Sequence, residues 1–211
     1  MTRNLPNLIT SARVIVSPLT AWLILQPRAD LRLAAFVLFV VAAVSDLWDG
    51  YLARSRGQVT NFGKLVDPIA DKLLLVCTLI PLYVLTRNDP SLAGLPLFGA
   101  VPLWAVLVLL GREALITVLR FAAARRGEVV SARGIGKRKA VAQNIFIGAA
   151  ILWVALRSLD SSEPSGWFWD LFTQVHAWFT TVFLAAALFL TVLSMAFYLA
   201  TFSRIFARSQ P

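Results

Sequence analysis

SDLWDGYLARSRGQVTNFGKLVDPIADK, residues 45–72, carries four of the chain's eight aspartates, at 46, 49, 67 and 71, between flanks that are almost wholly apolar. On membrane-insertion scales an ionised carboxylate in such a helix costs roughly 2.5 to 3.5 kcal/mol, so four in one stretch require a compensating partner. Asp46 and Asp49 stand three apart and Asp67 and Asp71 four apart, which puts each pair on one face of its own helix. Between the pairs, Ser55–Lys64 is polar and contains Gly57 and Gly63, so the chain is expected to turn and bring the second helix beside the first. The four carboxylates then face one another, and two divalent cations would cancel their formal charge. Oxygen-only donors suit Mg²⁺, with Mn²⁺ as the alternative. A paired-metal site of that kind fits phosphoryl transfer, in which two ions hold the attacking and leaving oxygens.

Working outward, the 211 residues are 58% hydrophobic, and the mean hydropathy is +0.73. That is well above the apolar share of a soluble domain. Apolar runs long enough to span a bilayer fall at about 7–25, 31–52, 65–85, 101–123, 139–156 and 176–202. The expectation is an all-α integral membrane protein with six transmembrane helices, formed as a single domain over 1–211, without an internal repeat. The first run lacks a clear small-residue cleavage site and is expected to remain as helix one rather than act as a signal peptide.

A net charge of +9 would point to nucleic acid in a soluble protein, but its placement excludes that partner. Of the twenty Lys and Arg residues, fourteen flank one side of the six-run layout, four (Arg28, Arg32, Arg87 and Arg157) lie opposite, and Lys72 and Arg112 fall within runs. The positive-inside rule then puts both termini in the cytoplasm, with basic loops against anionic membrane lipids. Cys77 is the only cysteine, so no intrachain disulfide exists. Trp153, Trp167, Trp169 and Trp178 read as an aromatic belt, and residues 166–172 as an interfacial amphipathic piece preceding the last span. His176 lies on that outer side, far from the aspartates, as a membrane-edge residue.

Asp46, Asp49, Gly50, Ala53, Arg54, Gly63, Asp67 and Asp71 match without a gap the signature D-x2-D-G-x2-A-R-x8-G-x3-D-x3-D over 46–71. On these residues the chain resembles the CDP-alcohol phosphotransferases. Two further stretches, NLPNLITSAR at 4–13 and GRE, LR and IGKRK between 111 and 139, are similar to the bacterial phosphatidylglycerophosphate synthases of that family, although Ala140 stands where those commonly have Thr. The resemblance covers 4–143 and implies metal-dependent transfer of a phosphatidyl group from CDP-diacylglycerol to sn-glycerol 3-phosphate, with release of CMP, by a homodimer in a bacterial inner membrane. Its active site would face the cytoplasm. It further implies Asp46, Asp49, Asp67 and Asp71 as ligands of two metal ions and Asp71 as the catalytic base. Among crowded carboxylates the last to lose its proton is the natural base.

Around that core the residues leave alternatives. Gly50 and Ala53 serve close helix packing or make room for the nucleotide. Arg54 either snorkels or offers a guanidinium fork to the diphosphate; Thr60 and Gly63 belong to the connecting loop and are candidates for the CDP-lipid pocket, Thr60 either offering its hydroxyl to the substrate or being simply solvated. Arg112, Arg120, Lys137 and Lys139 are the candidates for the acceptor's phosphate, although Arg112 and Glu113 also read as a buried ion pair between neighbouring helices. Asn7, Thr10 and Arg13 are helix-start anchors or line the polar mouth of the site. Pro68 marks either the start of the third helix or a kink in it. Lys72 points about 100° from Asp71 and reads as a neighbouring charge. Inositol phosphate, phosphatidylglycerol or a simple alcohol is the alternative acceptor. An ion or proton transporter, or a lipid-binding scaffold without activity, is the reading from another class.

Overall fold

Six α-helices form the described part of the chain: α1 Leu5–Leu25, α2 Ala29–Arg56, α3 Asn61–Asn88, α4 Leu103–Ala124, α5 Gly134–Arg157 and α6 Trp167–Arg208. This computed structural model describes the backbone of residues 5–56, 61–125, 134–159 and 166–208 and, within them, the side chains of 11–45, 69–125, 134, 136–159 and 166–203. Thr60 lies outside the described residues, as do the side chains of Asn7, Thr10, Asp46, Asp49, Gly50, Ala53, Arg54, Gly63 and Asp67.

Each apolar run is a helix, and two boundaries differ from expectation. Helix α6 begins at Trp167, so the aromatic segment before His176 is its first turns and not a separate piece. No Gly or Pro interrupts 167–208, and nothing local stops the helix. Helix α3 begins at Asn61, which leaves Pro68 inside the helix rather than in its first turn.

Helix α1 packs against α2 and α3, α5 against α2 and α6, and α4 against α6 and α3. The central element is α5: 61% of its membrane-length apolar segment is buried, against 28% for that of α6. Its Phe146, Ile147, Ile151 and Val154 are fully buried with Ile24 of α1, Leu79 and Leu82 of α3, Leu109 of α4 and Leu184 of α6. Gly148 brings α5 close to α2, since a Cβ there would meet the Phe39 ring at 3.4 Å. Close approach of this kind, rather than removal from water, is what holds helices together in lipid. Four buried hydroxyls bond along their own helices: Ser17 donates to Arg13 O, Thr20 to Val16 O, Thr78 to Leu74 O and Thr180 to His176 O.

The end of α1, the start of α2, the 89–102 connection and the end of α5 meet at one end of the bundle. Arg32 donates to Ser158 and, at 3.3 Å, to Ile24 O. Trp153 Nε1 donates to Leu92 O at 3.1 Å and Arg157 Nε to Ser91 O at 3.2 Å. Trp153 thus seats the 89–102 connection over Gly94, where a Cβ would meet its ring at 1.9 Å. His176 stacks on that same ring, 5.8 Å between centroids. Asp89 caps the short 3₁₀ turn Pro90–Leu92, and the hydroxyl and backbone N–H of Ser91 hold its carboxyl below the usual aspartate range.

Contacts between Arg13 and Asp71, Glu113 and Lys139, and Arg112 and Ser194 gather at the other end. The helices therefore alternate in direction, and the start of α1 and the end of α6 lie at the same end. The outward faces are apolar: Ile15, Trp22, Val41, Leu107, Val118, Phe121, Phe189 and Val192 are exposed, in number beyond what a soluble monomer tolerates. Among the described residues three segments, Ile69–Asn88, Gly136–Arg157 and Trp167–Ser203, are long and apolar enough to cross a membrane.

Candidate active site

At the end of the bundle opposite the Trp153 cluster, five helices surround an open cleft with a cavity volume of about 160 Å³. Helix α1 contributes Arg13, α2 Ala43, α3 Asp71, Lys72, Leu74 and Leu75, α4 Glu113, and α5 Lys139, Ala140, Gln143 and Asn144. Ala43, Leu74, Leu75 and Ala140 supply its apolar lining.

Two ion pairs span helices across this cleft. Arg13 Nη1 donates to Asp71 Oδ1 at 2.7 Å, with the arginine side chain 4% and the aspartate 52% exposed. The guanidinium is thus the buried backing, and the carboxylate is the part open to the cleft. Lys139 Nζ donates to Glu113 Oε1 at 2.5 Å, and Arg112 Nη1 donates to the same oxygen at 2.8 Å. Lys139 and Arg112 are both buried, so one carboxylate balances two cations in a low-dielectric setting where an unpaired charge would be costly.

The remaining basic candidates diverge. Arg112 Nε donates to Ser194 Oγ of α6 at 3.2 Å. Its Cζ lies 5.8 Å from the Tyr198 ring centroid, and that of Arg120 lies 5.3 Å away. Arg120 also hydrogen-bonds the Tyr198 hydroxyl. Both arginines are therefore engaged with α6, while Lys139 borders the cleft and Lys137 is exposed near the start of α5. The interhelical ion pair runs from Glu113 to Lys139, and the Arg112–Glu113 contact lies within α4. Lys72 borders the same cleft as Asp71, because the opening is wide enough to include adjacent positions.

Two cleft residues carry little signal in sequence. Glu113 reads only as the neighbour of Arg112. Gln143 is 2% exposed, and its Oε1 has no hydrogen-bond partner among the described residues. Leaving a buried acceptor unmet costs about 1–3 kcal/mol. Its one readable sign is position, one turn after Lys139 on the same helix face.

Among the described residues no three His, Cys, Asp or Glu side chains gather as a metal cluster. Asp71 is the described member of the aspartate quartet. An oxygen donor open to a cleft is what a hard divalent ion takes, so the residue present fits such a group. Asp46 and Asp49 follow Ala43 within two turns of α2, and Asp67 precedes Asp71 by one turn of α3.

An apolar helical bundle that keeps arginine, aspartate, lysine and glutamate in one cleft at its end has the architecture of a membrane enzyme acting on charged groups. The CDP-alcohol phosphatidyltransferase profile matches residues 3–193, and the chain belongs to that family. It is 37% identical over 190 residues to CDP-diacylglycerol–glycerol-3-phosphate 3-phosphatidyltransferase of Bacillus subtilis, covering 83% of this chain and 92% of the relative. The enzyme of the same name from Cereibacter sphaeroides is 31% identical over 177 residues, 82% of this chain and 75% of that one. A protein of Mycobacterium tuberculosis named probable phosphatidylglycerophosphate synthase is 36% identical over 152 residues, 71% of this chain and 66% of its own length. The chain is thus a transferase of phospholipid biosynthesis.

Proposed function

We propose that the protein transfers the phosphatidyl group of CDP-diacylglycerol to sn-glycerol 3-phosphate, giving phosphatidylglycerophosphate and CMP. The observation that carries this reading is the cleft itself, where a carboxylate open to substrate (Asp71) and a buried lysine (Lys139) line one opening. An acceptor with a hydroxyl at one end and a phosphate at the other matches that pair.

In the step proposed, the acceptor's terminal hydroxyl oxygen bonds to the phosphorus that bears the diacylglycerol, and the bond from that phosphorus to the CMP oxygen breaks. Asp71 takes the hydroxyl proton, and CMP leaves with the electron pair. Arg13 holds the Asp71 carboxylate in place. Lys139 meets the acceptor's phosphate, with Arg112 one carboxylate behind it and Arg120 and Lys137 completing the basic rim. Gly50, Ala53, Arg54, Thr60 and Gly63 shape the CDP-lipid pocket. Asp46, Asp49, Asp67 and Asp71 would hold two divalent ions, Mg²⁺ before Mn²⁺, which when bound neutralise the diphosphate and the charge developing on the leaving oxygen.

The same reading takes all six helices as spans of a bacterial inner membrane, with the cleft end and both termini cytoplasmic and two copies forming a homodimer. The alternating helix directions and the basic residues at the cleft end support that orientation. Purified protein with CDP-diacylglycerol and a panel of acceptors tests the assignment. CMP release is expected with sn-glycerol 3-phosphate; equal release with inositol phosphate, phosphatidylglycerol or choline would overturn the acceptor.

A further inference from the structure

We infer that Gln143 reads the free second hydroxyl of the acceptor, and so sets the enzyme's preference for a phosphorylated diol. The inference rests on the transfer reading above and names a residue that reading does not use. Gln143 is nearly sealed from solvent, yet its carboxamide oxygen meets no donor among the described residues, and the residue borders the cleft. It stands one helical turn beyond Lys139 on α5 and shares the cleft lining with Asp71.

A carboxamide oxygen accepts hydrogen bonds only. A phosphate oxygen without a proton offers it nothing, so the natural ligand is an O–H donor. In sn-glycerol 3-phosphate one hydroxyl attacks and the phosphate sits at the far carbon. The middle carbon then carries one more hydroxyl, between the group that faces Asp71 and the group that faces Lys139. A hydroxyl donated to Gln143 Oε1 satisfies both partners, whereas an acceptor lacking it leaves the oxygen as bare as it is without substrate. Sites built to bond a hydroxyl reject the analogue without it far more strongly than apolar pockets reject a missing methylene.

The test compares specificity constants for sn-glycerol 3-phosphate and 3-hydroxypropyl phosphate, which lacks the middle hydroxyl, using CMP release by the purified full-length protein. Wild type is expected to favour the diol by about tenfold or more. Gln143→Met should bring the ratio close to one, chiefly through KM for the diol, while Gln143→Glu, which keeps an acceptor oxygen, should retain the preference. A wild-type enzyme indifferent to the two acceptors overturns the inference without needing a variant. So does a Gln143→Met enzyme that loses rate equally with both, since a structural role moves both together. Absence of CMP release from wild type with either acceptor would instead overturn the transfer reading beneath it.

Discussion

Arg13 of α1 donates to the Asp71 carboxylate of α3 at 2.7 Å, across 58 positions of sequence, with the cation buried and the anion open to the cleft. The pair ties the first helix to the aspartate face and fixes where Asp71 points. Arg13→Ala is expected to lower kcat for CMP release by about 10- to 100-fold through loss of that positioning. Arg13→Lys should recover little, since an ammonium on a flexible stem does not reproduce the guanidinium fork. Steady-state kinetics checks this, and wild-type kcat in both variants would show that the pair is only structural.

Glu113 is shared by Lys139 and Arg112 at 2.5 and 2.8 Å. Glu113→Gln should destabilise the detergent-solubilised protein by about 3 kcal/mol, because two buried cations lose their counter-charge. Glu113→Gln combined with Lys139→Met should recover part of that loss while remaining inactive. Thermal unfolding of the single and double variants reads the coupling, and strictly additive losses would deny it.

The Arg120–Tyr198 contact separates substrate binding from helix packing. Tyr198→Phe should cost about 1 kcal/mol of stability and leave the KM for the acceptor as in wild type. Arg120→Ala should raise that KM several-fold if the guanidinium joins the basic rim. Equal KM values in the two variants would assign Arg120 to α6 packing alone.

Much of this architecture is legible along the chain because its cause is local. Long apolar runs set α1 to α6, and the polar stretch 55–64, with its two glycines, falls where α2 ends and α3 begins. What escapes is what depends on how each helix is rotated against its neighbours. Arg112 and Arg120 stand two turns apart on α4 and read as one substrate-facing pair, yet α6 supplies Ser194 and Tyr198 to meet them. Arg13 reads equally as an anchor or a site residue until α3 brings Asp71 to it. Gln143 shows in sequence only its place one turn after Lys139, since a lone amide in a helix means little until its surroundings leave the oxygen without a donor.

Chelation tests the divalent requirement implied by the aspartate stretch. Excess EDTA should abolish CMP release, and Mg²⁺ or Mn²⁺ should restore it. Full activity after exhaustive chelation would remove the ions from the reaction.

The most direct measurement is the stoichiometry of a single assay. Purified protein in detergent is given CDP-diacylglycerol with and without sn-glycerol 3-phosphate, and CMP and phosphatidylglycerophosphate are quantified for wild type and Asp71→Asn. The expected result is one CMP per phosphatidylglycerophosphate, no CMP without acceptor, and a rate about 10² to 10⁴ lower in the variant. CMP formed equally without the acceptor, or an Asp71→Asn enzyme at the wild-type rate, would contradict Asp71-assisted transfer to the acceptor hydroxyl.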